Sequence, residues 1–440
     1  MTKRLFSAAA LLFCVALVSK AGGLMTNTNY HIAFDRMFAR GASMEIDAAY
    51  SNPAGLAWGY DGFQMSLDFQ KPWQNRDIET PTAKYNGVAS APIVPALFAS
   101  YKKDRLAVST MIGIVGSGGF VKYDNGVPMF NEKLAGLLGA NGITSDQYTL
   151  ESQMEGKQYI YGGQLNFTYR ITDNLSAAVG VRANYYDGYY RGHVNADQHP
   201  MFNSLAALEL DVDQRAWGFA PILSADFHKG PLTLAARYEF RTKINTENKT
   251  NKLSAGIGDQ LQGYLAANNP AVLQNIAAIL GNEMTPYADG AETRYDMPAL
   301  LVVAAGYEIT PKVRAALEYH FFDDKNAKMA ADRQESLTGG THEFLAGVEF
   351  DINDKFTVSC GGQRTDYGLS DEYQKDTSFA CDSYSVGLGG AVNLTDKVRL
   401  NVSYFCTIYS DYTKEQTAVS AKTVYSRTNN VIGVGIDYKF

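Results

Sequence analysis

From Asn430 to Phe440 the chain alternates strictly between apolar and polar. Ile432, Val434, Ile436, Tyr438 and Phe440 share one parity; Gly433, Gly435, Asp437 and Lys439 share the other. Side chains on a β-strand point to opposite faces with period two, so this strand has one greasy face and one wet face. The division recurs upstream. In 231–241, Leu232, Leu234, Ala236, Tyr238 and Phe240 oppose Arg237, Glu239 and Arg241. In 312–321, Val313, Ala315, Leu317, Tyr319 and Phe321 oppose Lys312, Arg314, Glu318 and His320. In 397–408, Val398, Leu400, Val402, Tyr404 and Ile408 oppose Arg399, Asn401 and Ser403.

The turns between such strands sort by length. Tight polar connections occur at Lys102-Lys103-Asp104, Thr172-Asp173-Asn174, His228-Lys229-Gly230-Pro231, Thr310-Pro311-Lys312, Asn353-Asp354-Lys355 and Thr395-Asp396-Lys397, each built of turn-forming residues. Longer segments lie between them, near 72–92, 123–156, 191–211, 245–293, 324–340, 369–378 and 411–426. Six short connections alternating with seven long ones count to fourteen strands. Transmembrane barrels have an even strand number, short turns on one side and long loops on the other, whereas a soluble sandwich has no reason to sort its loops. A Lys or Arg facing lipid at the bilayer midplane costs ~2–4 kcal/mol, so the charged parity must line a lumen. No segment after residue 21 has the run of about 18 apolar residues that a spanning helix needs. The expected fold class is all-β: a 14-stranded antiparallel transmembrane β-barrel over residues 60–440, with a partly filled, hydrogen-bonded interior of mixed charge.

The start of the chain agrees with export. Lys3 and Arg4 precede an apolar run from Leu5 to Val18, and Ser19-Lys20-Ala21 offers small residues for cleavage, so residues 1–21 read as a signal peptide. Removing its three basic residues takes the net charge from −7 to −10. That acidic balance argues against nucleic acid as a partner. The 28 tyrosines and 40 glycines suit a barrel with aromatic girdles, though also a sandwich. Cys360, Cys381 and Cys406 are an odd, widely spaced set; they give no disulfide framework and read as small apolar filler. No Gly-x-Ser-x-Gly or His-Glu-x-x-His motif is present, and His193, His199, His228, His320 and His342 are scattered. The reading is therefore of a non-enzyme, without cofactor or metal.

Residues 22–59 do not read as a barrel strand. They contain Asp47-Ala48-Ala49 and then Asn52-Pro53-Ala54-Gly55-Leu56, whose Asn-Pro and Gly mark a tight turn. An export signal, a short pre-barrel segment ending in Asn-Pro-Ala-Gly-Leu, fourteen strands and a terminal Phe together resemble the FadL family of outer-membrane transporters. The resemblance spans the whole mature chain; its one specific short motif is Asn52-Pro53-Ala54. It implies that residues 22–59 fold inside the barrel as a hatch, and that the protein is integral to the bacterial outer membrane with both termini periplasmic. It also implies that the barrel assembly machinery reads the terminal strand. The implied ligands are hydrophobic small molecules, long-chain fatty acids or aromatic hydrocarbons, released into outer-membrane lipid. Met44-Glu45-Ile46 departs from the family's Gly/Ala-rich stretch at that point.

Residues 111–120 carry four glycines, Gly113, Gly116, Gly118 and Gly119. Glycine in a strand marks a bulge or a bend. In the family a kink in the third strand opens a lateral hole, which these glycines would supply; packing against aromatics or the hatch is the other reading. The second and fourth long loops carry apolar stripes. Leu134, Leu137 and Leu138 form one. Leu253, Ile257, Leu261 and Leu265 form another, read as a helix with four-residue spacing. Pro270 opens a third helix, with Leu273, Ile276 and Leu280 on its stripe. They are expected either to pack on one another or to leave an outer groove for apolar ligands. Arg182, Arg237, Arg314 and Arg399 are lumen-facing candidates for a fatty-acid carboxylate, or members of an internal charge network. The expected function is passive transport: hydrophobic molecules captured at the outer groove and released sideways, near the third strand, as the hatch moves. A polar diffusion porin and a structural or adhesive barrel are the alternatives.

Overall fold

The computed structural model describes residues 23–27, 30–91, 93–140, 142–415 and 422–440. The expected signal peptide, 1–21, lies outside them. Eighteen strand segments form one antiparallel sheet among the described residues. They are β1 (Gly62–Glu79), β2 (Lys84–Ser90), β3 (Val94–Lys103), β4 (Leu106–Tyr123), β5 (Thr149–Arg170), β6 (Leu175–Asp197), β7 (Ser204–Lys229), β8 (Leu232–Glu239) and β9 (Asn245–Ile257). The second half holds β10 (Glu292–Arg294), β11 (Leu300–Thr310), β12 (Val313–Phe322), β13 (Thr341–Asp351), β14 (Phe356–Asp366), β15 (Ser383–Asn393), β16 (Val398–Tyr409), β17 (Tyr412–Glu415) and β18 (Lys422–Lys439).

Four pairs of segments lie end to end in a single position of the wall. β2 and β3 both pair with β1, β8 and β9 both pair with β7, β10 and β11 pair with β9 and β8, and β16 and β17 both pair with β18. The wall therefore has fourteen staves. It closes where β1 pairs with β18, from Gln64↔Lys439 to Glu79↔Val424. Closure removes the terminal edges of the sheet, which a strand protein needs in lipid.

The parity read from the sequence is the parity of the wall. Ile432, Val434 and Ile436 face out and are exposed, as are Leu234, Leu317 and Val402, while Arg237, Glu318, His320 and Asn401 face in and are buried. The six tight turns fall where expected. Several outer connections are shorter than expected: the first is the four-residue turn 80–83 between β1 and β2 rather than a loop over 72–92, the second spans 124–148 rather than 123–156, the third 198–203 rather than 191–211, and β17 and the start of β18 lie within the expected seventh loop, 411–426. β5, β6 and β7 are 22, 23 and 26 residues long. A tilted strand of about 9–11 residues crosses the bilayer, so these strands run far past it. There the outward face is no longer held apolar by lipid, and the alternation that marks a strand fades from the sequence.

A further correction concerns Leu253 and Ile257, which lie on β9 and pair with Leu210 and Ala206 of β7. The helix begins only at Asp259. A four-residue step keeps side chains on one face of a strand as well as of a helix, so the spacing did not discriminate. The outer helices are α3 (Pro128–Ala140), α4 (Asp259–Asn268) and α5 (Pro270–Met284).

Residues 30–59 contact the inward faces of staves around the ring. α1 (Ile32–Arg36) is capped by His31, whose Nδ1 accepts from the Ala33 N–H at 3.1 Å. Its Nε2 lies 3.3 Å from Asp437 of β18, and Asp68 of β1 accepts from the Ile32 N–H at 3.0 Å. Gln70 and Ser403 hold Asp35. Arg36 pairs with Glu349 of β13 and donates to Ser359 of β14 at 2.6 Å. Arg40 makes a two-bond fork to Asp47, which closes the turn from α1 to α2 (Ala48–Ser51). The Gly41 N–H donates to Glu318 of β12 at 2.6 Å. Buried charges are tolerated here because most are ion-paired and Asp35 is hydrogen-bonded by Gln70 and Ser403.

Candidate functional site

The Asn-Pro-Ala turn is the most heavily anchored part of the lumen segment. Asn52 donates to Asp226 of β7 at 3.1 Å, and the Ala54 N–H donates to Ser224 at 3.1 Å. Thr168 and Ser176 donate to the carbonyls of Pro53 and Ala54 at 2.8 and 2.7 Å. Asn166 and Gln164 reach the Ala49 carbonyl, and Arg237 reaches that of Tyr50 at 2.6 Å. Gly55 and Leu56 continue into a 3₁₀ turn, Pro53–Trp58, that is buried as far as Ala57. A turn leaves backbone groups without ladder partners, and polar side chains of the wall satisfy them.

The opposite condition holds at β4. On one edge it pairs with β5 from Leu106↔Tyr169 to Tyr123↔Met154, with register shifts between Ile114 and Gly116 and between Gly116 and Gly119. On the other edge it pairs with β3 only from Leu106 to Ile112, and with β2 only at Lys122 and Tyr123. From Gly113 to Val121 that edge has no strand partner among the described residues. The facing stave is itself interrupted between Ser90 and Val94. The barrel ladder is thus broken between its second and third staves.

Each glycine there behaves differently. Gly119 has φ +76° and open space where a Cβ would stand. Gly116 is close to the N-terminal segment: a Cβ on it would strike the Met25 carbonyl, and the Asn27 N–H donates to the neighbouring Val115 carbonyl at 2.9 Å. A Cβ on Gly113 would meet the end of the Met111 side chain at 3.0 Å. Gly118 lies on β4, but its surroundings are outside the described set.

An interior cavity of about 210 Å³ reaches the break. Ala89, Ala91 and Val94 line it from one lip, and Ile114, Gly119, Phe120 and Val121 from the other. Leu24, Met25, Asn27 and Tyr30 form its floor of N-terminal chain, and Tyr367, Tyr373 and Phe379 come from the loop over 367–382. Gln74, Arg76, Tyr409, Arg427 and Asn429 line it at the β1–β18 seam and its neighbour β16.

The four arginines expected at the ligand are committed elsewhere. Arg182 pairs with Glu239, bonds Gln164 and lies over the Tyr50 ring at 4.9 Å. Arg237 holds the Tyr50 carbonyl and covers the same ring at 5.2 Å. Arg314 bridges Glu349 and Asp351, and Arg399 pairs with Glu45 at 2.7 Å. Sequence reasoning missed Arg76 and Arg427. They are direct cross-strand partners on the inward face. The signal was available in their shared parity on the first and last strands. It also missed the interruption of the second stave, for which Pro92 and Pro95, each without an N–H to donate to a ladder, were the cue.

Outside, the apolar stripes meet one another. Leu138 of α3, Leu261 and Leu265 of α4 and Ile276 of α5 are buried in one cluster with Phe202 and Leu205; Leu134, Ile257 and Leu273 pack against it. Leu253 packs instead in the cluster of Leu210 and Val212. The side chains of Leu137 and Leu280 lie outside the described set.

Comparisons with known proteins agree with this architecture. The family model "Outer membrane protein beta-barrel domain" matches residues 274–440. No curated protein matches in sequence. Among solved structures, a Pseudomonas aeruginosa FadL homologue is similar at TM-score 0.66 and 13% identity, covering 95% of this chain and 100% of its own. The Pseudomonas putida toluene transporter TodX is similar at TM-score 0.60 and 12% identity, over 96% and 99%. The Ralstonia pickettii toluene transporter TbuX is similar at TM-score 0.52 and 14% identity, over 90% and 94%. The chain folds as a FadL-type barrel.

Proposed function

We propose that this protein is a member of the FadL family: an outer-membrane passive transporter of hydrophobic small molecules, with residues 22–59 as its hatch and the break beside β4 as its lateral exit. The observation that carries the reading is the cavity that joins the lumen to that break. A ligand leaving there enters lipid without crossing the water-filled periplasm. An alkyl chain gains ~0.8 kcal/mol per CH₂ on leaving water, so partition into the bilayer drives the last step and no energy source is needed. The solved structures of similar fold that are described as toluene transporters and as a FadL homologue support the same class of cargo. The outer cluster of α3, α4 and α5 stands where capture would occur, with Leu134, Leu138, Leu261, Leu265, Leu273 and Ile276 supplying its apolar surface. The signal peptide, the periplasmic placement of both ends and recognition by the assembly machinery belong to this reading.

A polar diffusion porin needs an open lumen with charge rings at a constriction. Here the lumen is crossed by a segment hydrogen-bonded to staves on several sides. The test is uptake of a radiolabelled long-chain fatty acid and of a monoaromatic hydrocarbon by cells expressing the wild type, Ala91→Trp or Gly116→Phe. Ala91→Trp fills a lip of the break, and Gly116→Phe drives into Met25. Uptake of either ligand, falling to background in both variants while a small sugar is unaffected, is the expected result. Equal uptake in wild type and variants sinks the lateral exit, and sugar permeation with no hydrophobic uptake leaves a porin.

A further inference from the structure

The outer wall of this barrel is not evenly convex. A depression of about 1130 Å³ crosses its lipid-facing side from β7 to β15, away from the wall break. Its floor is made of small residues at outward positions: Ala225, Ala236, Ala305, Ala346 and Gly362. Register sets them side by side. Ala225 is opposite Ala236, Ala346 is opposite Gly362, and Leu317 stands between Ala305 and Ala346. Lipid tails are as apolar as these side chains, so burial alone gives an acyl chain no reason to stay. Packing does: dispersion contacts are tiny singly and large together, and a hollow touches a chain on several sides.

Toward the long loops the depression ends at an aromatic belt and then at cations. Above Ala236 on the same stave, the Tyr238 and Phe240 rings meet edge to face at 4.9 Å, and Trp217 and Phe219 of β7 are exposed. Exposed aromatics of this kind mark the membrane interface, where headgroups lie. Arg241, Lys243 and Arg294 follow directly. Arg294 holds the buried Asp296 at 2.7 Å, and Arg241 lies 3.9 Å from that carboxylate and donates to the Asn326 carbonyl. Lys243 is exposed, and among the described residues no ion pair joins it to an acid. The other acid at this height, Asp323, accepts from Asn326 at 2.8 Å. Glu247 and Glu292 form the row beyond Asn245 and Arg294, further from the membrane. Across the depression Arg364 is already paired with Asp366 at 2.9 Å. The positive balance therefore sits on the Arg241–Lys243 side.

We infer that this face is a docking site for a phosphorylated glycolipid of the outer leaflet, its phosphate on Lys243 and Arg241 and its acyl chains over the alanine floor. Lys offers a point charge and Arg a fork, and both suit a phosphate. The width of the hollow suits a lipid with several chains. A second copy of this chain does not suit it, because a two-fold interface sets the same patch on both sides and two hollows do not fill each other. The inference goes beyond the transport reading and shares with it only the placement of the long loops outside. The bound lipid is a fixed neighbour of the wall, not cargo.

The test uses full-length protein in nonionic detergent and native mass spectrometry, with diphosphoryl lipid A, its dephosphorylated form and phosphatidylglycerol as probes. The wild type is expected to hold diphosphoryl lipid A about tenfold more tightly than the dephosphorylated form, and more tightly than phosphatidylglycerol, which has fewer chains to lay on the floor. Lys243→Glu is expected to abolish the preference between the two lipid A forms. Ala305→Phe/Ala346→Phe fills the floor with side chains that lipid accepts, and is expected to weaken both forms about tenfold. Heat-modifiable gel migration reports that both variants are folded. Equal binding of the two forms by the wild type, or a preference unchanged in Lys243→Glu, overturns the phosphate site. Unchanged binding in the filled-floor variant overturns the hollow, and phosphatidylglycerol held as tightly overturns the choice of lipid. A dimer that carries no lipid assigns the face to a second copy and overturns the inference. Uptake of hydrophobic ligands is the same in all these proteins, so the transport reading stands or falls separately.

Discussion

β4 and β6 are both long strands of one barrel, 18 and 23 residues, and they have opposite fates. β6 is paired along both edges, from Leu175 to Asp197, with β5 and with β7. Its inward side chains are spent on fixed partners: Arg182 on Glu239 and Gln164, Asn184 on Thr242. β4 is paired on one edge, bulged twice, and open for nine residues on the other. Where the wall is continuous, polar side chains hold the lumen segment by its Asn-Pro-Ala turn. Where it is open, backbone from the chain's start leans on the bulge through one hydrogen bond, Asn27 to Val115. The barrel thus sets a continuous wall, the staves from β5 to β8, against an interrupted one, the staves made by β2, β3 and β4.

That division can be broken at its strong side first. Arg182→Met removes the hydrogen-bonded cation of buried Glu239 and leaves it only Arg237, at 3.8 Å; removing one member of a buried pair costs about 3–5 kcal/mol. Urea unfolding of the protein in lipid vesicles measures it, and a loss below about 1 kcal/mol would show that the continuous wall is not where stability lies. The next effect concerns the tie between α1 and the seam. Burial opposes the charged form of His31, but the facing carboxylates of Asp68 and Asp437, with Asp47 further off, outweigh it and raise its pKa to about 9 from the ordinary 6.5; Asp35 of α1 adds to the same acidic surroundings. A raised folded-state pKa means that this contribution is complete below pH 6.5 and is lost as pH rises through 9. Each unit is about 1.4 kcal/mol, so α1 should loosen by up to about 3 kcal/mol. Amide exchange of residues 31–37 between pH 6 and 10, corrected for base catalysis, should show it; His31→Gln should flatten the profile, and an unchanged slope in that variant would assign the effect elsewhere. The smallest effects separate two glycines of the open strand. Gly113→Ala meets a flexible Met111 end and should change stability by no more than about 0.5 kcal/mol. Gly116→Ala meets backbone at Met25 and should cost more, about 1 kcal/mol or above, with faster proteolysis of the N-terminal segment. Equal costs would mean that the N-terminal chain does not rest on the bulge.

Much of the wall was legible in the sequence because lipid imposes a simple rule. A charged residue on the outward parity is costly at every depth near the midplane, so alternation survives in every crossing, and six turns of Asp, Asn, Gly and Pro punctuate it. The rule stops at the membrane boundary. In Tyr189 to Asp197 of β6 only Val194 and Ala196 are buried, too short an apolar face to announce a strand. The lumen was harder still. Parity shows that Arg182, Arg237, Arg314 and Arg399 point inward, but which carboxylate or carbonyl each meets depends on register between strands far apart in sequence. The glycine-rich stretch of β4 announced a bend, not that the adjacent stave would also be interrupted. Arg76 and Arg427 became a pair only once β1 and β18 were set in register.

The seam where β1 meets β18 carries a consequence for how the molecule is made. Its cross-strand partners are about 350 positions apart in the chain, and contacts of such separation are the slowest to form because loop closure must come first. The lumen segment precedes β1 directly, and Tyr60 donates its hydroxyl hydrogen to the Phe440 carbonyl at 2.8 Å. A cylinder sealed by its last strand admits no later entry of a folded helix through the wall. Assembly therefore resembles building a ship inside a bottle: Ile32 to Trp58 must be housed while the sheet is still open, and the final strand zips shut over an interior that is already furnished.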